Sequence, residues 1–136
     1  MLWVQGKIRV GAATNIQEGA MLHTDMGFPM TVGAACTIGH HAIVHGCTIG
    51  DNVLIGMGAT IMNGAVIGAN SVVVANALVT ERKTFPPNSL IVGALARAVC
   101  TLDEAAAATN RLSAAHYVSA WRRFAVDLRQ LDRPAV

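Results

Sequence analysis

A chain of 136 residues is one ordinary domain, and 53% hydrophobic against only 13% charged residues excludes a disordered chain. The formal charge of +2 leaves no basic footprint for nucleic acid or an anionic membrane surface. No window of about 18 residues escapes Gly, Asn, Ser or Thr, which argues against a membrane-spanning helix, and the start lacks the pattern of a secretion signal.

Between Val10 and Thr80 only Glu18, Asp25 and Asp51 are charged, while most remaining charge lies in residues 81–136. A body so poor in charge must hide part of its outside as well as its core, which predicts oligomerisation. Cys36, Cys47 and Cys100 are odd in number and form no CxxC pair, which predicts reduced, buried thiols and a cytoplasmic location.

Aliphatic residues recur at Val4, Val10, Ile16 and Leu22, then at Val32, Ile38 and Val44. They continue at Ile49, Ile55, Ile61, Ile67, Val73 and Val79. Most steps are six residues, with one of ten after Leu22 and one of five after Val44. Gly follows the aliphatic residue at 11, 33, 39, 50, 56 and 68, and Asn52, Asn70 and Asn76 stand nearby. Both residue types tolerate left-handed backbone, so a corner every sixth residue is expected. Such glycine density would break a helix, and the period is wrong for one. Short strands joined by regular corners predict an all-β parallel β-helix, each rung stacking its aliphatic residue on the next. The pattern resembles that of the hexapeptide-repeat, left-handed β-helix family, and the resemblance implies a triangular prism with three hexads, or 18 residues, per turn.

The repeat is expected to stop at Val79, with Phe85-Pro86-Pro87 in a linker and Leu90, Ile91 and Val92 in a returning strand. Thr101 to Glu104 reads as a capping box opening a helix. Leu112, Ala115, Trp121, Phe124, Leu128 and Leu131 then form an apolar stripe expected to pack along the prism. The organisation is therefore a β-helix over residues 1–99 and a C-terminal helix over 100–133.

His23 follows the inward Leu22 and His45 the inward Val44, so both imidazoles point outward. They are one 18-residue turn plus four inserted residues apart, which stacks them at one corner about 5 Å apart. Two outward histidines on a nearly uncharged face suggest metal ligation. His40 lies one prism edge earlier, and five extended residues can span up to about 16 Å, too far for one chain to bring it to the same ion. A threefold trimer solves this, with His40 of one subunit meeting His23 and His45 of its neighbour; otherwise His40 is a solvated corner residue. His41 and His116 read as solvated or packing residues.

The segments Thr14-Asn15-Ile16-Gln17-Glu18-Gly19-Ala20-Met21-Leu22-His23 and Ile38-Gly39-His40-His41-Ala42-Ile43-Val44-His45-Gly46-Cys47-Thr48-Ile49-Gly50 resemble the signature segments of γ-class carbonic anhydrases. These are hexapeptide-repeat proteins with a left-handed β-helix. The short loop from Thr24 to Pro29 is similar to that of the bacterial branch, which includes phenylacetate-degradation and carnitine-metabolism proteins. The resemblance implies a homotrimer whose interfacial metal is held by His23, His40 and His45, the middle one donated across the interface. The metal it implies is Zn2+, with Fe2+ or Co2+ as alternatives.

By the same resemblance Gln17 orients a metal-bound hydroxide, Asn15 supports Gln17, and Tyr117 stands near the metal on the helix. Read without the family, Asn15 and Gln17 are corner amides that satisfy backbone groups, and Tyr117 is a packing residue. The family's Arg-x-Asp pair has no counterpart in Met1-Leu2-Trp3-Val4-Gln5-Gly6-Lys7-Ile8. Family chains begin further upstream, so this start reads as truncated or rewritten, with an open apolar rung at Val4 and Val10 that risks aggregation. The loop after His23 offers only Asp25 where the founding type carries proton-shuttling glutamates, which predicts slow or absent activity.

The expected function is a lyase (carbonate dehydratase) that hydrates CO2 reversibly to bicarbonate, with no nucleic-acid or membrane partner. Two alternatives remain: a hexapeptide-repeat acyltransferase or acyl-CoA thioesterase, and a catalytically silent metal-binding member.

Overall fold

The computed structural model describes residues 6–129; Val4 of the repeat and Leu131 of the helix stripe lie outside the described residues. The chain winds as a left-handed parallel β-solenoid of about five turns, followed by one helix. Three parallel sheets form its faces. The first contains β1 (Ile8–Val10), β4 (Met30–Val32), β7 (Thr48–Ile49), β10 (Val66–Ile67) and β13 (Thr84–Phe85). The second contains β2 (Asn15–Ile16), β5 (Thr37–Ile38), β8 (Leu54–Ile55), β11 (Val72–Val73) and β14 (Ser89–Val92), with β15 (Arg97–Thr101) antiparallel at its edge. The third contains β3 (Met21–His23), β6 (Ile43–His45), β9 (Thr60–Ile61) and β12 (Leu78–Val79).

Register follows the hexad. Inward residues stack in columns, such as Ile38, Ile55, Val73 and Ile91, each 0% exposed. Burying each such side chain contributes about 1.5–3 kcal/mol. Val10 and Ile16, on the terminal strands β1 and β2, stay 42% and 45% exposed.

The corners turn at left-handed residues that recur with the hexad, among them Ala35, His41, Asn52, Asn70 and Asn76. The glycines that directly follow the inward residues are absent from that set, which corrects the expected reason for them. A Cβ on Gly33 would stand 2.6 Å from the amide nitrogen of Asp51, and one on Gly50 would stand 2.7 Å from that of Ala69. These glycines are required because the next coil's backbone passes over them, not because of their own torsion.

The repeat also runs further than expected. Phe85, 4% exposed, takes the inward place in β13, and Ile91 takes it in β14. Pro86 and Pro87 are tolerated because β13 is an edge strand and they fall just after it. Residues 90–92 continue the coil in parallel with β11, and the strand that returns is β15.

The helix α1 (Glu104–Asp127) is capped by Asp103, whose carboxylate accepts the Ala106 N–H at 2.9 Å, while Thr101 belongs to β15. The face packed on the solenoid is Ala107, Asn110 and Ala114, and not the large apolar stripe: Leu112, Ala115, Trp121, Phe124 and Leu128 are all exposed. Small residues allow close approach, and amides complete the seam. Asn52 donates to the carbonyl of Ala107 at 2.9 Å, and Asn110 donates to the carbonyls of Asn52 and Ser71 at 3.4 Å each. Among the described residues no helix is long and apolar enough to cross a membrane.

Cys36 and Cys47 are fully buried, but Cys100 is exposed on β15, against the expectation that all three would be hidden. Burial pushes both inner thiols up, that of Cys47 from an ordinary 9.0 to about 12. The buried neutral thiols therefore contribute stability that is intact below about pH 9 and is lost as pH rises toward 12, because the unfolded thiols ionise first. A thiol-reagent titration at pH 8 is expected to count one fast-reacting cysteine in the native chain, and Cys36 and Cys47 only after denaturation.

Candidate metal centre

His23 ends β3 and His45 ends β6, and the strand register pairs them directly. Their ring centroids are 4.5 Å apart with a 33° tilt, and His23 Nδ1 faces His45 Nε2 at 2.8 Å. The side chains are 25% and 29% exposed, so solvent reaches the pair.

Asp25 of the loop after His23, and Asn63, which the sequence reading did not single out, complete the group. His45 Nδ1 lies 2.8 Å from Asn63 Oδ1, and Asn63 Nδ2 donates to Asp25 Oδ2 at 2.8 Å. Ligand atoms of His23, Asp25 and His45 all fall within 4.8 Å of one another, the geometry of a possible cation site. Asp25 arrives there through the inserted loop. The Phe28 N–H donates to the Asp25 carbonyl at 3.1 Å, closing a turn, and the Phe28 ring anchors it under Arg82 at 5.4 Å. The signal for Asn63 was available, since it follows His45 by 18 residues, one unperturbed turn of the coil.

His40 is elsewhere. It follows β5, one prism edge before His45, and its Nδ1 stands 3.0 Å from Glu18 Oε2. It opens on a cavity of about 760 Å³ between α1 and the second face, together with Asn15, Gln17, Tyr117, Trp121 and Phe124. Neither His23 nor His45 lines that cavity. Gln17, six residues before His23 in the chain, lines the cavity with His40, because it directly follows β2, which pairs with the β5 strand that precedes His40.

Asn15 accepts from Gln17 Nε2 at 3.4 Å and spends its own N–H groups on Thr37 Oγ1 at 2.9 Å and the Cys36 carbonyl at 3.2 Å. From β2 it thus hydrogen-bonds both the neighbouring coil and Gln17. Tyr117 is 39% exposed and stands edge-on to His116 at 5.8 Å. One chain therefore carries two separate groups: His23, His45, Asp25 and Asn63 at one edge, and His40, Glu18, Gln17, Asn15 and Tyr117 at another.

The bacterial transferase hexapeptide family (six repeats) matches residues 29–61 and 46–81. A protein of Methanocaldococcus jannaschii named "Probable carbonic anhydrase" is 51% identical over 112 residues, 82% of this chain and 70% of its own. The mitochondrial gamma carbonic anhydrase 2 of Arabidopsis thaliana is 42% identical over 60 residues, 40% of this chain and 22% of its own. Among solved structures, a hexapeptide transferase family protein from Anaplasma phagocytophilum superposes with a TM-score of 0.83 at 32% identity, covering 90% of this chain and 74% of that one. With the coil, the glycine-seated corners and the paired histidines in place, these similarities make the chain a member of the hexapeptide-repeat family of γ-carbonic-anhydrase-like proteins.

Proposed function

We propose that the chain acts as a cytoplasmic homotrimeric lyase that hydrates CO2 reversibly to bicarbonate, using Zn2+ held between subunits. The observation that carries this reading is the His23–His45 pair, whose nitrogens meet at 2.8 Å. Two nitrogens each about 2.0–2.1 Å from a tetrahedral cation stand about 3.3–3.4 Å apart, so the pair needs only a few tenths of an ångström to accept one. Neutral imidazoles are donors that suit Zn2+, and also Fe2+ or Co2+.

His23 and His45 of one subunit and His40 of the next would hold the cation, because no single chain brings the three together. The chemistry such a cation supplies when bound is the acidification of water to a pKa of about 7, as in other carbonic anhydrases. Glu18, whose carboxylate stands 3.0 Å from His40 Nδ1, is placed to orient the ring so that Nε2 is the nitrogen that would ligate. Gln17, steadied by Asn15, reaches the site with His40 and orients water or substrate by hydrogen bonding; Tyr117 lines the same approach. Asp25 and Glu18 are the exposed carboxylates able to pass protons to solvent, and with so few of them the turnover is slow.

A second reading is acyl transfer or acyl-CoA hydrolysis, with His40 as a base facing the cavity; the similarity to the hexapeptide transferase family protein of Anaplasma phagocytophilum favours it. Metal content and CO2 hydration measured on one trimer preparation test the proposal. Stoichiometric Zn or Fe with hydration lost on chelation is the expected result. Metal-free trimers that turn over an acyl-CoA would transfer the assignment to the second reading, and metal-loaded trimers without hydration would leave a silent metal-binding member.

A further inference from the structure

We propose that Asn63, oriented by Asp25, is a positioning residue that locks His45 in the tautomer whose Nε2 lone pair is free for the metal. The inference rests on the metal reading above and adds the origin of the ligand's protonation state.

The direction of the hydrogen-bond chain is set at its outer end. An ionised carboxylate only accepts, so Asp25 Oδ2 at 2.8 Å fixes which end of the Asn63 amide carries nitrogen. The amide oxygen is thereby turned to His45 Nδ1 at 2.8 Å, and an oxygen there requires Nδ1 to hold the hydrogen. A neutral imidazole has one N–H, so Nε2 is bare, and it faces His23 Nδ1 at 2.8 Å. His23 must then donate to His45 when no cation is present, and a cation would take the place of that hydrogen. Asp25 does not act on the rings itself: its oxygens stand 3.8 Å from His23 Nδ1 and 4.0 Å from His45 Nδ1, beyond hydrogen-bond reach.

The surroundings are shaped for this amide. Gly46, at φ +51°, leaves the space it fills; a Cβ there would strike Asn63 Oδ1 and come within 2.7 Å of Phe28 Cβ. Phe28 belongs to the turn that delivers Asp25. The side chain of Asn63 bonds His45 and Asp25, whereas the corner amide Asn52 holds the helix. Inserted loop, Asp25, Asn63 and His45 thus form one directional relay.

The test uses the full-length protein and two readouts: the 15N shifts of the His45 ring in the metal-free protein, and Zn2+ affinity by chelator competition. The parent is expected to show a single Nδ1–H tautomer. Asn63→Leu is expected to mix the tautomers and weaken Zn2+ binding by about 10–100-fold. Asp25→Asn, a change at a half-exposed residue that does not threaten the coils, is expected to mix them in part. The exchange variant Asn63→Asp with Asp25→Asn keeps an acceptor oxygen at His45 Nδ1 and remakes the bond between positions 63 and 25 with its direction reversed, and should return the single tautomer and an affinity within about threefold of the parent. An unchanged tautomer and affinity in Asn63→Leu, or an exchange variant no better than Asn63→Leu, overturns the proposal. A parent that binds no Zn2+ fails the functional reading alone, because the His45 shifts of the metal-free variants still decide the tautomer lock.

Discussion

Alanine at His23 or His45 is expected to strip the protein of metal and of CO2 hydration. Binding of structural Zn2+ at about 10–16 kcal/mol, divided over three or four ligands, assigns each roughly 3–4 kcal/mol, a loss of several hundredfold in affinity per ligand. The coil should survive, since both imidazoles lie on its outside and the neighbouring Leu22 and Val44 supply the packing. His40→Ala should cost a similar factor by a different route, because it removes the donor of the neighbouring subunit and leaves the 2.8 Å pair intact.

That difference permits complementation. Neither His23→Ala nor His40→Ala trimers should be active. In trimers assembled from equal amounts of the two, roughly a quarter of the interfaces unite an intact pair with an intact His40. Recovery of about that share of parental metal and activity is the expected result. No recovery, in trimers proven to be mixed, would remove the shared site.

Ile55→Ala is expected to be the most damaging conservative change in the coil. Ile55 is 0% exposed and sits between Ile38 and Val73 in its column. Loss of three carbons there costs about 3–5 kcal/mol, because the coils above and below are held at strand spacing by their own hydrogen bonds and cannot close the cavity. Thermal or urea unfolding should show it as a fall of roughly 10 °C or more in Tm. Val66→Ala on the outer face, where the side chain is 36% exposed, should cost under about 1 kcal/mol. Equal losses at the two positions would mean that the inward columns are not what holds the solenoid together.

The sequence misled where a residue's role depends on a neighbour one coil away. Gly33 and Gly50 look like turn formers on their own; only the next coil's backbone, which a Cβ there would meet at 2.6–2.7 Å, reveals them as spacers. Phe85 and Ile91 keep the six-residue step, but the two prolines between them masked it, because proline forbids a central strand and permits an edge one. For the helix, hydrophobicity pointed to Leu112, Trp121 and Phe124, whereas docking is decided by fit. The outward amide of Asn52 and the carbonyl of Ser71 call for a complementary amide and small neighbours, which Asn110, Ala107 and Ala114 supply. The large apolar face of α1 is left exposed on this single chain, as is Ile43 beside His45, which fits the expected burial of both between subunits.

From the order of residues, with the family resemblance it carries, came the triangular solenoid, its period and the pairing of His23 with His45. A repeat that stacks each unit on the next turns sequence spacing directly into spatial spacing, so a four-residue insertion can be counted through. Folding decided the rest: that Gln17 lies beside His40, which helix face is buried, and that Asn63 bridges His45 and Asp25. Those relations depend on how a loop folds back across two coils and on which way a hydrogen bond points, and neither is periodic along the chain.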